Sequence, residues 1–180
     1  MSYKNFIFTA ILVLVSIGIT LVLGEGFLRL KNSTMRNYDI EMWKYSKVLK
    51  RKSDNPILGH EHIPSKSAIL QSVEIRINKH GLRGRNIGHK QLGKKRILFL
   101  GSSITLGWGV PEEETMPERI DQMFKNDGKP AEILNAGIGN YNSTRYVERF
   151  LGHLTHLDPD VLVVGKVPLS VEIEQCLTPL

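Results

Sequence analysis

The sequence predicts an α/β fold. A parallel sheet is covered by helices on both faces in three layers, incomplete toward its carboxyl end and preceded by one transmembrane helix. Three observations predict it. An uninterrupted apolar run, Phe6–Leu23, opens the chain. Three continuous apolar strands follow at Arg96–Leu100, Ala131–Leu134 and Asp160–Val164. Between them lie stretches with apolar residues at helical spacing and short links. Strand, helix, strand, helix, strand with short connections buries each strand on both faces, as a parallel sheet requires.

The opening run holds 18 residues without a charge, its polar content limited to Thr9, Ser16 and Thr20. At about 1.5 Å per residue it reaches about 27 Å, close to the hydrocarbon thickness of a bilayer. A cleaved signal peptide is the alternative, with Lys4 as its basic start and Gly24 as a small residue. The run exceeds the roughly 7–15 residues usual for such a peptide and no A-x-A pattern follows, so residues 1–31 are expected to stay as an anchor whose partner is the lipid bilayer. Arg29, Lys31 and Arg36 follow the span against Glu25 alone. Counted literally, the positive-inside rule places the larger portion in the cytoplasm.

Of 180 residues, 41% are hydrophobic and 23% charged, which excludes a wholly disordered chain. The net charge of +6 hides an asymmetry: residues 32–96 hold 15 cations against 5 anions, and residues 97–180 hold 6 against 12. The folded-looking part is acidic and the basic segment lacks interleaved aromatics, so nucleic acid is not expected as a partner. The single cysteine, Cys176, can form neither an internal disulfide nor a cysteine-built zinc site. Residues 32–93 read as a basic juxtamembrane linker. The run Lys47, Lys50, Arg51, Lys52 is expected to be solvated, with contact to anionic lipid headgroups as the alternative. Within it Val73, Ile75 and Ile77 alternate with Glu74 and Arg76, a short strand that ends at Asn78-Lys79-His80-Gly81.

The domain proper is expected over 94–180. Its first strand ends on Gly101. Thr115-Met116-Pro117-Glu118 matches a capping box, with Met116, Ile120, Met123 and Phe124 as an apolar face and Gly128 as the stop. After the second strand, Ser143 can cap a helix with the apolar face Tyr146, Val147, Phe150, Leu151 and Leu154, ended by Asp158-Pro159.

In open parallel sheets the crevice lies at the carboxyl ends of the strands. Two loops there are unusual. The first, Gly101-Ser102-Ser103-Ile104-Thr105-Leu106-Gly107-Trp108-Gly109, is no phosphate loop, because Trp108 stands where a lysine is needed. Nor is it a dinucleotide fingerprint, since Val110 and Pro111 follow where a third glycine belongs. What remains is a strand that turns on glycine and presents a serine, as a nucleophile elbow does, or a plain helix cap. The second loop, Asn135-Ala136-Gly137-Ile138-Gly139-Asn140-Tyr141, has glycines that let backbone N–H groups face an anion.

Together these loops resemble the SGNH (GDSL-like) family of serine ester hydrolases. The first looks like that family's G-D-S-x-T-x-G block, with Ser102 in place of aspartate, and the second is similar to N-x-G-x-x-G-Y. Asn55-Pro56-Ile57-Leu58-Gly59 and Asn78-Lys79-His80-Gly81-Leu82-Arg83-Gly84 look like the lead-in of membrane-anchored members. The resemblance covers roughly residues 50–165 and implies a flavodoxin-like sheet in a single-pass protein whose domain lies outside the cytoplasm, against the literal cation count. It implies Ser103 as nucleophile and the backbone N–H groups of Ser103 and Asn140 as oxyanion donors. Gly101, Ser102, Thr105, Gly107, Asn135, Gly137 and Gly139 would support the loops. Asparagine at 140 keeps the N–H and tolerates left-handed angles. The substrate implied is an ester-bearing small molecule or glycan, with no cofactor.

Two family blocks are missing. No asparagine follows Asn142, so G-x-N-D is absent, and no Asp-x-x-His spacing exists to supply a base. The six histidines are His60, His62, His80, His89, His153 and His156. The pairs His153/His156 and His60/His62 lack a third ligand and read as exposed histidines rather than a metal site. The tail 166–180 is too short for the remaining strand–helix units and reads as a chain that diverges or ends early after Gly165. The expectation is a poorly active ester hydrolase, or else a non-catalytic anchored module derived from the same fold.

Overall fold

The computed structural model describes residues 3–34 and 37–165; the tail 166–180, with Cys176, lies outside the described residues. The chain divides into two compact units after Glu41. The first contains helix α1 (Tyr3–Thr34), in which Asn5–Lys31 is long and apolar enough to cross a membrane. Residues 5–31 are exposed all round the helix, so it has no buried face of its own to pack.

Helix α2 (Tyr38–Val48) leads into the second unit. There follow β1 (Lys50–Lys52), β2 (His60–His62), β3 (Lys66–Leu70), β4 (Val73–Ile77), β5 (Lys95–Gly101), α3 (Ser103–Leu106), α4 (Met116–Asn126), β6 (Ala131–Gly137) and α5 (Ser143–Arg149). A π-helical turn at Phe150–Leu154 and a 3-10 turn at Thr155–Leu157 then lead to β7 (Val161–Gly165).

Strands β5, β6 and β7 form a parallel sheet in the order β6-β5-β7, with Leu98 opposite Leu134 and Leu162. Side chains alternate between the faces. Leu98, Leu100, Leu134 and Ala136 pack with Tyr146, Leu154 and Leu157, on and after α5. Ile97, Phe99, Ala131, Ile133 and Val163 pack with Ile120 and Phe124 of α4. Each face of the sheet therefore carries a helix. β7 is less covered than expected: Val161, Leu162 and Val164 are 41%, 41% and 53% exposed. An apolar run predicts full burial only if neighbours exist on every side, and among the described residues β7 pairs with β5 alone.

The stretch 32–93, expected as a linker, is folded from Met42 on as part of the second unit. Strands β1 and β2 pair antiparallel, as do β3 and β4. Tyr45 and Leu49 are buried against Leu70, Ile75 and Ile77 of the β3-β4 hairpin and against Leu106 and Trp108 beyond β5. Arg83 bridges Ile77 and Asn135, joining that hairpin to the edge of β6. Strands of three to five residues with charged side chains give too short a pattern to read, and the burial of Lys50 and Arg83 runs against the usual fate of cations.

Helix ends also differ in detail. Thr115 is the N-cap of α4 but its side chain makes no cap bond; its hydroxyl donates to the Glu112 carbonyl at 2.8 Å instead. The cap of α5 is Asn142, whose side chain accepts the Arg145 N–H, and not Ser143. Met116, Met123, Val147 and Leu151, expected on apolar faces, are exposed.

Candidate active site

The three parallel strands end in register on Gly101, Gly137 and Gly165. The single turn of α3 sits against this row. A Cβ on Gly137 would lie 2.7 Å from the Leu106 Cα and the Thr105 carbonyl carbon, and closer still to the Leu106 nitrogen. Thr105, 2% exposed, fills the notch between Gly101 and Gly165. Ser103 is thus the first residue of a turn that begins where the central strand ends. Gly107 stops that turn at φ +79°, its N–H donating to the Ser103 and Ile104 carbonyls. Ser102 is the N-cap, but its side chain makes no cap bond, so the plain helix-cap reading has no side-chain contact behind it. Among the described residues the Ser103 hydroxyl has no hydrogen-bond partner.

Arg83 clamps the rest of this loop. Its Nη1 donates to the Leu106 carbonyl at 2.6 Å and to that of Gly107, and its Nη2 to Val110 at 2.6 Å. The guanidinium is 4% exposed, and burial lowers its pKa. One side chain thus holds three loop carbonyls, that of Gly107 also accepting the Val110 N–H.

The second loop leaves β6 in a similar way. Asn135 accepts the Gly137 N–H on Oδ1 at 3.0 Å, and its carbonyl accepts the Arg83 N–H. The Ile138 N–H donates to the Gly101 carbonyl at 3.0 Å, tying the two loops together. A turn over Ile138–Tyr141 follows, closed by Tyr141 N–H to Ile138 O, with Asn140 at φ +66°. Asn140 therefore takes the left-handed conformation usually left to glycine.

Side chains from α2, β2 and α5 surround this turn. The Tyr45 hydroxyl accepts the Gly139 N–H at 3.2 Å and lies 2.7 Å from His62 Nε2. His62 Nδ1 faces the Gly81 carbonyl at 3.0 Å, so Nδ1 carries the proton and Nε2 accepts from Tyr45. Lys50 Nζ donates to the Gly139 carbonyl at 2.7 Å, and Arg145 Nη1 to that of Asn140 at 2.9 Å. Arg149 donates to Ala136 at 2.6 Å and to Gly81 at 2.8 Å. Burial dominates the electrostatics. It pushes His62 down to about 3, with Arg149 adding to the effect, and Arg149 down to about 10. Burial and the neighbouring Arg145 push Lys50 down to about 8. Among the described residues no carboxylate pairs with Lys50, Arg145 or Arg149. The turn is electropositive.

A cleft of about 350 Å³ near these elements is lined by Arg51, Glu61, His80, Arg149, His153 and His156 among others, and not by Ser103 or Asn140. His60 and His62, expected as exposed histidines, stand on β2, where His62 is 2% exposed. His156 Nε2 faces His80 Nδ1 at 3.3 Å. No local pattern marks Tyr45 or Arg149, and Lys50, expected to be solvated, is 8% exposed because the Gly139 carbonyl takes its ammonium. Arg83 stands in the segment Asn78–Gly84 singled out in the sequence, but nothing there assigns it an interior role. No protein-family model matches the chain, and no curated protein matches it.

Proposed function

We propose that this chain is a weakly active ester-hydrolase domain of the SGNH type, carried on a single membrane-spanning helix and held outside the cytoplasm. Ser103 is its nucleophile, and the backbone N–H groups of Ser103 and Asn140 receive the oxyanion of the tetrahedral intermediate. The substrate class is an acyl ester on a small molecule or glycan. The observation that carries the reading is the placement of Ser103 at the turn leaving the central strand, beside a second loop whose Asn140 is left-handed. The strand order with β5 in the centre is compatible with a flavodoxin-like sheet. Attack by the Ser103 hydroxyl on the ester carbonyl would break the acyl C–O bond and expel the alcohol, which takes up the serine proton through solvent; water or a sugar hydroxyl then takes the acyl group and returns a proton to Ser103.

One observation favours a second reading, a non-catalytic anchored module: the Ser103 hydroxyl has no hydrogen-bond partner, hence no base, among the described residues. A fluorophosphonate probe on the full chain in detergent separates the two. The hydrolase reading expects one slow adduct by intact mass, on Ser103, lost in Ser103→Ala. No adduct at Ser103 over the same hours supports the module instead.

The anchor has its own test. A retained span of about 27 Å keeps the intact chain in the membrane pellet after carbonate washing. A soluble product starting near Glu25 would show that the apolar run is a cleaved signal.

A further inference from the structure

The Ile138–Tyr141 turn has a positive φ at its third residue, the pattern of a type II turn. Types I and II differ by a flip of the central peptide, here the unit made of the Gly139 carbonyl and the Asn140 N–H. In a trans peptide these two groups point in opposite directions. Whatever holds the carbonyl therefore also aims the N–H.

Lys50 Nζ donates to this carbonyl at 2.7 Å. His60 Nε2 lies 3.2 Å from the same oxygen and 3.1 Å from Lys50 Nζ, closing a triangle. The Lys50 ammonium also sits 4.3 Å from the centre of the Tyr45 ring, whose hydroxyl holds the neighbouring Gly139 N–H. Lys50 is 8% exposed. A flip to the other turn type would take the carbonyl from a buried cation, which costs more than losing a neutral bond. A cation on the carbonyl oxygen also draws electron density from the amide and makes its N–H a stronger donor.

We infer that Lys50, with His60, is the positioning residue that fixes and polarises the Asn140 N–H as an oxyanion donor. The inference rests on the hydrolase reading for what that N–H receives, but not for the contact itself.

The test is an NMR titration of the full chain in detergent, labelled with 15N-asparagine. The ionisable groups around Lys50 are Tyr45, His60, His62, Tyr141, Arg145 and Arg149. Burial raises both tyrosines above their ordinary value, lowers both histidines below theirs and leaves Arg149 at about 10, so a step near pH 8 belongs to Lys50. The Asn140 amide proton is expected to move upfield as pH rises through about 8, when the ammonium becomes neutral. In Lys50→Arg the downfield position should persist without a step, and in Lys50→Met the upfield position should hold throughout. No step in the wild type, or a step that survives in Lys50→Arg, overturns the inference. If Lys50→Met does not fold, the wild type and Lys50→Arg carry the test. Fluorophosphonate labelling of Ser103 should slow about tenfold in Lys50→Met, less than the loss of a whole donor, and recover in Lys50→Arg. An amide step with an unreactive Ser103 would remove the hydrolase reading and with it the catalytic role. A reactive Ser103 without the step removes the Lys50 assignment alone.

Discussion

Gly137→Ala is expected to cost about 3 kcal/mol or more, beyond ordinary overpacking, because the added methyl meets main chain that cannot turn aside. Its Cβ would lie 2.7 Å from the Leu106 Cα and the Thr105 carbonyl carbon, inside the distance at which carbons pack. Relief requires lifting α3 off the end of the sheet or shifting β6, and the shift strains the link between the Ile138 N–H and the Gly101 carbonyl. For a domain of this size the melting temperature should fall by roughly 10 °C. Gly152→Ala is the control, since nothing lies within 4 Å of a Cβ there. It should stay within about 0.5 kcal/mol of the parent. Thermal melts of the two variants in the same detergent check this, and equal melts would mean that the Ser103 turn does not rest on the glycine row.

The same residues show what was legible in the sequence. The three apolar strands and the two loops that follow them stand out because buried parallel strands are continuous runs and glycines mark close approach. The positions of Ser103 and Asn140 follow from those loops. The support beneath them does not. Lys50 and Arg83 are cations, which composition assigns to the surface, yet each is buried with its charge spent on loop carbonyls. Their burial depends on carbonyls distant in sequence, from Leu106 to Gly139, and no local pattern encodes that. Tyr45 lies on a helix that exposes Trp43, Lys44 and Lys47, too mixed to read as amphipathic, and Leu49 lies just past its end. The cation-rich stretch 32–93 reads as a linker for this reason, although the chain uses some of its cations as interior hydrogen-bond donors. Capping was misread at Thr115 and Ser143 because several residues in each stretch can cap, and only tertiary placement chooses among them.

The second large effect concerns chemistry. The turn presents Ser103 with its hydroxyl unpartnered among the described residues, and the chain contains no Asp-x-x-His spacing. Without a general base, proton removal from serine alone should cost on the order of 10²–10⁴ in rate. On the proposed SGNH-type reading, the missing G-x-N-D asparagine would remove about another 10²–10³ as a lost oxyanion donor. The two penalties need not multiply, because such groups act as a unit. Even the smaller brings turnover of an ordinary ester near the uncatalysed level. On the proposed reading Ser103 is a nucleophile with no base beside it among the described residues, and p-nitrophenyl acetate hydrolysis by the purified full chain and by Ser103→Ala, side by side, tests this most directly. Rates close to background are expected for both, whereas robust hydrolysis that vanishes in Ser103→Ala would mean that a base serves Ser103.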